Sequence, residues 1–261
     1  MGHERVGVLP RTKRWREIVY ELSLPFMSDS EINAIARQTL SNVRSRYSRL
    51  RFDNGVRAAF QFLVYLSALS HEPNPSEELS KYGISVSSEP TPVSLTRAVH
   101  RWVDFNRDSL EYARIAQCAA GDAIAIWHAT HEQRQAQLFN LSREAFEAWQ
   151  YAGSGSGFCE LALTFFAKFT ERYLNYFLER EASAVAPSLE ERRQIQHSIK
   201  GHIEEISKHA FETSKITQSF AAGWFNKHTR EGLPSEEAID GFLAYAFEKM
   251  REELLREERA I

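Results

Sequence analysis

The segment GFCELALTFFAKFTERYLNYF, Gly157 to Phe177, decides the fold class of this chain. Phe158, Ala162, Phe165, Phe169, Tyr173 and Tyr176 recur at three- and four-residue intervals. Phe166, Leu174 and Phe177 widen the apolar face to roughly half the cylinder. A face that wide needs cover on two sides. Glu160, Thr164, Lys168, Glu171 and Asn175 share the opposite arc, which leaves one narrow strip for water. Pro187 ends the segment, and Ser188 starts a second helix with Glu190 and Glu191 in its positively polarised first turn. In that second helix Ile195, Ile199, Ile206, Ile216, Phe220 and Trp224 lie on one face, interrupted by His202, Thr213 and Thr217 and bordered by His209. The spacing predicts two long antiparallel helices with a seam that is apolar at its ends and polar in its middle. An imidazole inside such a seam needs a hydrogen-bonding partner, because burying it unpaired is costly.

Outward from this pair the helical pattern continues. Pro10 precedes an amphipathic stretch, Arg11 to Leu24, with Trp15, Ile18, Val19 and Leu22 on one side. Ser28 and Glu31 stand at capping-box spacing before a second stripe of Ile32, Ile35, Leu40, Val43, Tyr47 and Leu50. Asp53-Asn54-Gly55 breaks the chain ahead of Val56 to Leu69, whose apolar residues lie nearly all round, as in a central buried helix. Residues 1–72 therefore read as an N-terminal helical subdomain. Residues 73–92 are rich in Pro and Ser and read either as a linker or as a surface loop on a single domain. Residues 93–261 form a C-terminal helical domain. Its helices are expected from Thr91-Pro92 to about Asn106, from Asp108 to about Leu138, from Ser142 to Tyr151 behind a hydrophobic staple, and from Ser235 onward. Gly153 to Gly157 reads as a flexible connector, with Ser156 as the cap of the following helix. The only strand-like stretch, Ile84 to Ser87, is short. The expectation is an all-α, irregular multi-helix fold: an N-terminal helical subdomain plus a C-terminal bundle.

Composition excludes several classes. With 261 residues, 43% hydrophobic, 26% charged and a formal net charge of -3, the chain is neither disordered nor globally basic. Cys118 and Cys159 sit in predicted helices among apolar neighbours, which suits reduced thiols better than a disulfide framework. The first residues lack the apolar core of a signal peptide, and no stretch approaches the ~20 apolar residues of a membrane span. A cytoplasmic location without membrane anchorage is expected.

Candidate chemistry is sparse. The glycine-serine loop leads into a helix N-terminus, but it lacks the Lys-Ser/Thr ending of a P-loop. His202, Glu205, His209 and Glu212 repeat His-x-x-Glu seven residues apart and would offer imidazole and carboxylate along one flank, the donor types of a metal site. Neither the di-iron nor the zincin spacing occurs, which favours a mixed polar edge. His128 and His131, with Glu132 beside them, supply two ligands and lack a third. Charge is polarised along the chain. Residues 1–60 hold eleven Lys or Arg against six Asp or Glu, and residues 235–261 hold four against eight. Arg37, Arg44 and Arg51 repeat every seven residues, with Arg46 and Arg49 on the other flank. Such a ridge fits a phosphate backbone, but arginines astride an apolar stripe also snorkel, or pair with the acidic C-terminal helix.

The leading expectation is a non-enzymatic scaffold or adaptor subunit of a cytosolic multi-protein assembly, with no cofactor. Phe165, Phe169, Tyr173, Tyr176, Phe220 and Trp224 are its expected interface, toward a protein partner or a second copy. The alternative is a nucleic-acid-associated protein using the arginine ridge, and a metal-dependent helical-bundle enzyme stands third.

Overall fold

The computed structural model describes residues 50–107, 110–136, 146–185, 190 and 218–259. All eight α-helices and the single 3-10 turn among them conform to the all-α expectation, and no strand occurs among the described residues. The helices expected over 11–24 and 32–50 lie outside this set, apart from Leu50. So do Arg37, Arg44, Arg46 and Arg49, the Ser142 helix start, and the stretch carrying His202, Glu205, His209 and Glu212. The chain divides into two compact units. One comprises Arg51–Phe169 and Lys215–Ala244; the other comprises Met1–Leu50, Thr170–Ser214 and Tyr245–Ile261.

The first of these units is built around α1 (Asn54–Leu69), whose sequence is apolar on every side and whose residues are nearly all buried. Asp53, expected as part of a chain break, also starts this helix: its Oδ1 accepts the Val56 N–H at 3.0 Å. After a short α2 (Pro75–Lys81), α3 (Pro92–Asn106) begins on a reciprocal capping box. Thr91 Oγ1 accepts the Ser94 N–H, and Ser94 Oγ accepts the Thr91 N–H, with Pro92 at the position that needs no donor. Then α4 (Glu111–Ala136) buries Ala113, Ala116, Ala119, Ala120 and Ala123, small side chains that let neighbouring backbones come close. The helices α1, α3 and α4 pack pairwise. Trp102 Nε1 of α3 donates to the Ala58 carbonyl of α1 at 3.0 Å. Gln117 of α4 donates to Asp104 Oδ1 at 2.9 Å and to the His100 carbonyl at 3.2 Å. The segment 73–92 thus joins helices that lie directly against each other.

A short α5 (Glu147–Gln150) and a 3-10 turn (Tyr151–Gly153) lead into α6 (Gly155–Val185). Here the composition misleads, because the glycines of this junction are close-packed. Ser154, not Ser156, caps the helix: its Oγ accepts the Gly157 N–H at 3.0 Å. A Cβ on Gly157 would lie 2.6 Å from the Tyr151 carbonyl carbon and nearer still to its oxygen. The glycines here serve close approach rather than flexibility.

The ring of Phe60 sits at the centre of this unit's core. It is fully buried and stacks on Phe242 of α8 (Glu236–Arg259) at 5.0 Å between centroids, with Phe166 at 5.3 Å, Phe165 at 5.8 Å and Phe158 at 6.1 Å. From α7 (Gln218–His228), Phe225 stacks on Phe158 at 4.3 Å. Glu160, Thr164 and Lys168 remain partly exposed, as the helical arc predicts. In the other unit, Thr170 of α6 donates its hydroxyl hydrogen to Met250 Sδ of α8 at 3.4 Å.

Candidate functional site

The expected interface residues fall into two groups. Phe165, Phe169 and Tyr173 are fully buried within the chain and Trp224 is nearly so, whereas Phe220 is half-buried and Tyr176 is exposed. Much of their cover comes from the chain's own rings: Phe60 lies against Phe165, and Phe242 lies 5.5 Å from Phe220 and 4.8 Å from Trp224. Of the arginine ridge, only Arg51 is described. It is exposed, and its guanidinium stands 4.4 Å from the centroid of the Phe52 ring. Arg57, six residues further on, pairs with Asp240 at 2.7 Å and Glu236 at 3.5 Å, both on the acidic C-terminal helix.

Two features of the first unit were not singled out from sequence. One is an apolar corner. Phe105 is 87% exposed, Leu110 71% and Phe52 65%. The α1 N-terminus packs on the start of α4, where a Cβ on Gly55 would meet Ala113, and α3 ends four residues before Leu110. All three side chains therefore stand at one end of the α1–α3–α4 layer. Asp104 and Arg107, paired at 3.1 Å, and the exposed Arg114 add charge at the same end. Phe105 follows the Leu95, Val99, Val103 stripe by residues that do not continue its period, and that mismatch was the available signal.

The other feature is a pocket of about 320 Å³ lined by Tyr151, Ser156, Cys159, Glu160, Leu163 and Ala222. Beside it, the His131 imidazole is buried and stacked on Trp127 at 3.8 Å between ring centroids, with the Tyr151 ring at 5.4 Å. His131 Nδ1 lies 2.9 Å from the Trp127 carbonyl oxygen. A carbonyl only accepts, so this contact places a ring hydrogen on Nδ1. The Nε2 atom is buried without a hydrogen-bond partner and faces Glu160 Oε1 at 3.8 Å. Sequence reading grouped His131 with His128, but His131 turns inward and meets a carboxylate of α6, a helix whose polar arc was assigned to water. Burial pushes the Cys159 thiol pKa up, and the nearby Glu160 charge adds to that shift, so the sulfur keeps its proton and is a poor nucleophile. Among the described residues, no group of three or more His, Cys, Asp or Glu side chains is placed to hold a metal ion. No helix among them is long and apolar enough to cross a membrane.

Comparison of the chain with protein-family models, with curated proteins and with solved structures finds no match.

Proposed function

We propose that this chain is a non-enzymatic helical subunit of a multi-protein assembly in the cytosol, acting as a scaffold or adaptor. The observation that carries the reading is the apolar corner of Phe52, Phe105 and Leu110, exposed at one end of a unit whose other large rings are mostly buried. An apolar centre with charged groups around it has the anatomy of a protein interface. The test is Phe105→Ser combined with Leu110→Ser. Both side chains are exposed, so the fold and its melting temperature persist, while partners that co-purify with the native protein, or self-association seen by light scattering, are lost. Retention of every partner and of the oligomeric state by the double variant overturns the reading.

A further inference from the structure

We propose that the corner of Phe52, Phe105 and Leu110 receives a short acidic segment of a partner protein, with apolar side chains against these three and carboxylates against Arg51 and Arg114. This rests on the reading of the corner as a docking surface. Most charges at this end of the α1–α3–α4 layer are used within the chain. Asp53 caps α1, its Oδ1 accepting the Val56 N–H at 3.0 Å, and Glu111 sits in the first turn of α4 with Oε1 shielded from solvent, so each carboxylate answers the positive end of a helix. Arg107 caps the other end of α3 and pairs with Asp104 at 3.1 Å, and Asp104 also accepts from Gln117 at 2.9 Å. Arg51 and Arg114 are left over. Both are exposed, and among the described residues neither forms an ion pair with a carboxylate. Arg51 precedes α1 and Arg114 lies near the start of α4, where a helix dipole disfavours a cation, so neither charge serves its own helix. The Arg51 guanidinium stands 4.4 Å from the centroid of the Phe52 ring, which presents cation and apolar surface together.

Size and charge select the occupant. The three apolar side chains expose about 400 Å², taking about 200 Å² for a full phenylalanine, against the ~800 Å² that each partner buries in a standard interface. A linear segment of about twelve residues, ~18 Å long as a helix, matches a patch of that size better than the face of a folded domain does. A second copy of this chain is disfavoured, because a two-fold contact through the corner sets the unpaired arginines of one copy near those of the other. A nucleic-acid strand would meet the arginines, but Leu110 offers its bases no ring to stack on. Carboxylates interspersed with large apolar side chains answer both halves of the surface.

The test is selection of random displayed peptides of about twelve residues on the immobilised full-length chain, followed by fluorescence anisotropy with the peptides recovered. The expected peptides carry net negative charge together with aromatic or leucine side chains. Their binding is lost with Phe105→Ser plus Leu110→Ser. It weakens about tenfold with Arg51→Glu plus Arg114→Glu, and about tenfold again when the peptide's own acidic residues are replaced by their amides. Arg97→Glu plus Arg230→Glu, an equal charge change at exposed positions away from the corner, leaves it unchanged. Circular dichroism checks that each variant keeps its helix content. Peptides that need Phe105 and Leu110 but carry no net negative charge, or that bind the Arg51 and Arg114 double variant as well as the native chain, overturn the acidic segment and leave the docking corner standing. Peptides indifferent to Phe105→Ser plus Leu110→Ser, or no enriched peptide at all, overturn the proposal. So does binding of oligothymidylate or of phosphatidylserine–phosphatidylcholine vesicles through Phe105 and Leu110 where no acidic peptide binds, since the occupant is then a nucleic acid or a lipid surface.

Discussion

Replacing Gly157 with alanine tests whether the glycine-rich junction is a packed element or a loose connector. A Cβ at this position would lie 2.6 Å from the Tyr151 carbonyl carbon and 3.0 Å from Ala152 Cα, both backbone atoms that cannot rotate away. The same Tyr151 carbonyl accepts the Ser154 N–H at 3.0 Å and the Ser154 hydroxyl at 2.8 Å, and Ser154 caps α6. Moving the carbonyl aside therefore disturbs the cap as well as the turn. Alanine gains about 1 kcal/mol of helix propensity over glycine. Overpacking costs about 1–3 kcal/mol, and a lost cap adds about 1 kcal/mol. The net expectation is a loss of about 1–3 kcal/mol. Gly241 supplies the internal control: it is exposed within α8 with nothing within 4 Å of an added Cβ, so Gly241→Ala gains about 0.5–1 kcal/mol. Urea unfolding followed by circular dichroism measures both. A Gly157→Ala protein as stable as the native one, or stabilised alongside Gly241→Ala, refutes the packed junction.

Two further predictions concern the core and its pH response. Phe60→Ala removes a fully buried ring that touches four others and is expected to cost about 3–5 kcal/mol by denaturant midpoint, with Phe60→Leu costing clearly less; a loss below about 1 kcal/mol contradicts its central placement. The His100 pKa is lowered from 6.5, first by burial and then by Arg114, with Asp104 opposing. The unfolded chain therefore binds this proton more readily, so His100 contributes stability above pH 6.5 that is lost as pH falls through the folded-state pKa. His100→Asn is expected to shrink the stability difference between about pH 7.5 and about pH 5.5, and an unchanged difference contradicts the assignment.

Periodicity made most of the helices legible. The all-round apolar character of Val56 to Leu69 marked a buried helix, Thr91-Pro92 marked a start, and Ser235 marked another, where its Oγ accepts the Ala238 N–H at 3.3 Å. These signals are local, since a cap and its helix lie within one turn. What composition misread was the Gly153–Gly157 stretch, because glycine serves flexibility and close approach equally well, and only the neighbouring Tyr151 carbonyl decides which. The pocket was hidden for a related reason. Glu160 falls on the water-facing arc of α6, and nothing within its own helix shows that His131, twenty-nine residues earlier, presents an unpaired nitrogen to it. The pairing exists only once two helices are packed.

The placement of the rings also limits how strongly any partner is held. In the first unit, Phe60, Phe225 and Phe242 come from three helices and cover the aromatic face of α6 from within the chain, so that face is not open surface for a second protein. Among the described residues, the most exposed large apolar side chains are Phe105, Leu110 and Phe52. At their observed exposures these three side chains present about 400 Å² of apolar surface, taking about 200 Å² for a full phenylalanine. Burying it is worth about 10 kcal/mol, and association costs roughly 4–15 kcal/mol in lost freedom. The corner is also smaller than the ~800 Å² that each partner buries in a standard interface. Apolar burial at this site therefore comes close to cancelling against the cost of docking. If the corner is a docking site as proposed, a complex built on it exchanges readily, and the nearby charges, among them Arg51, Asp104, Arg107 and Arg114, make its rate of formation sensitive to salt.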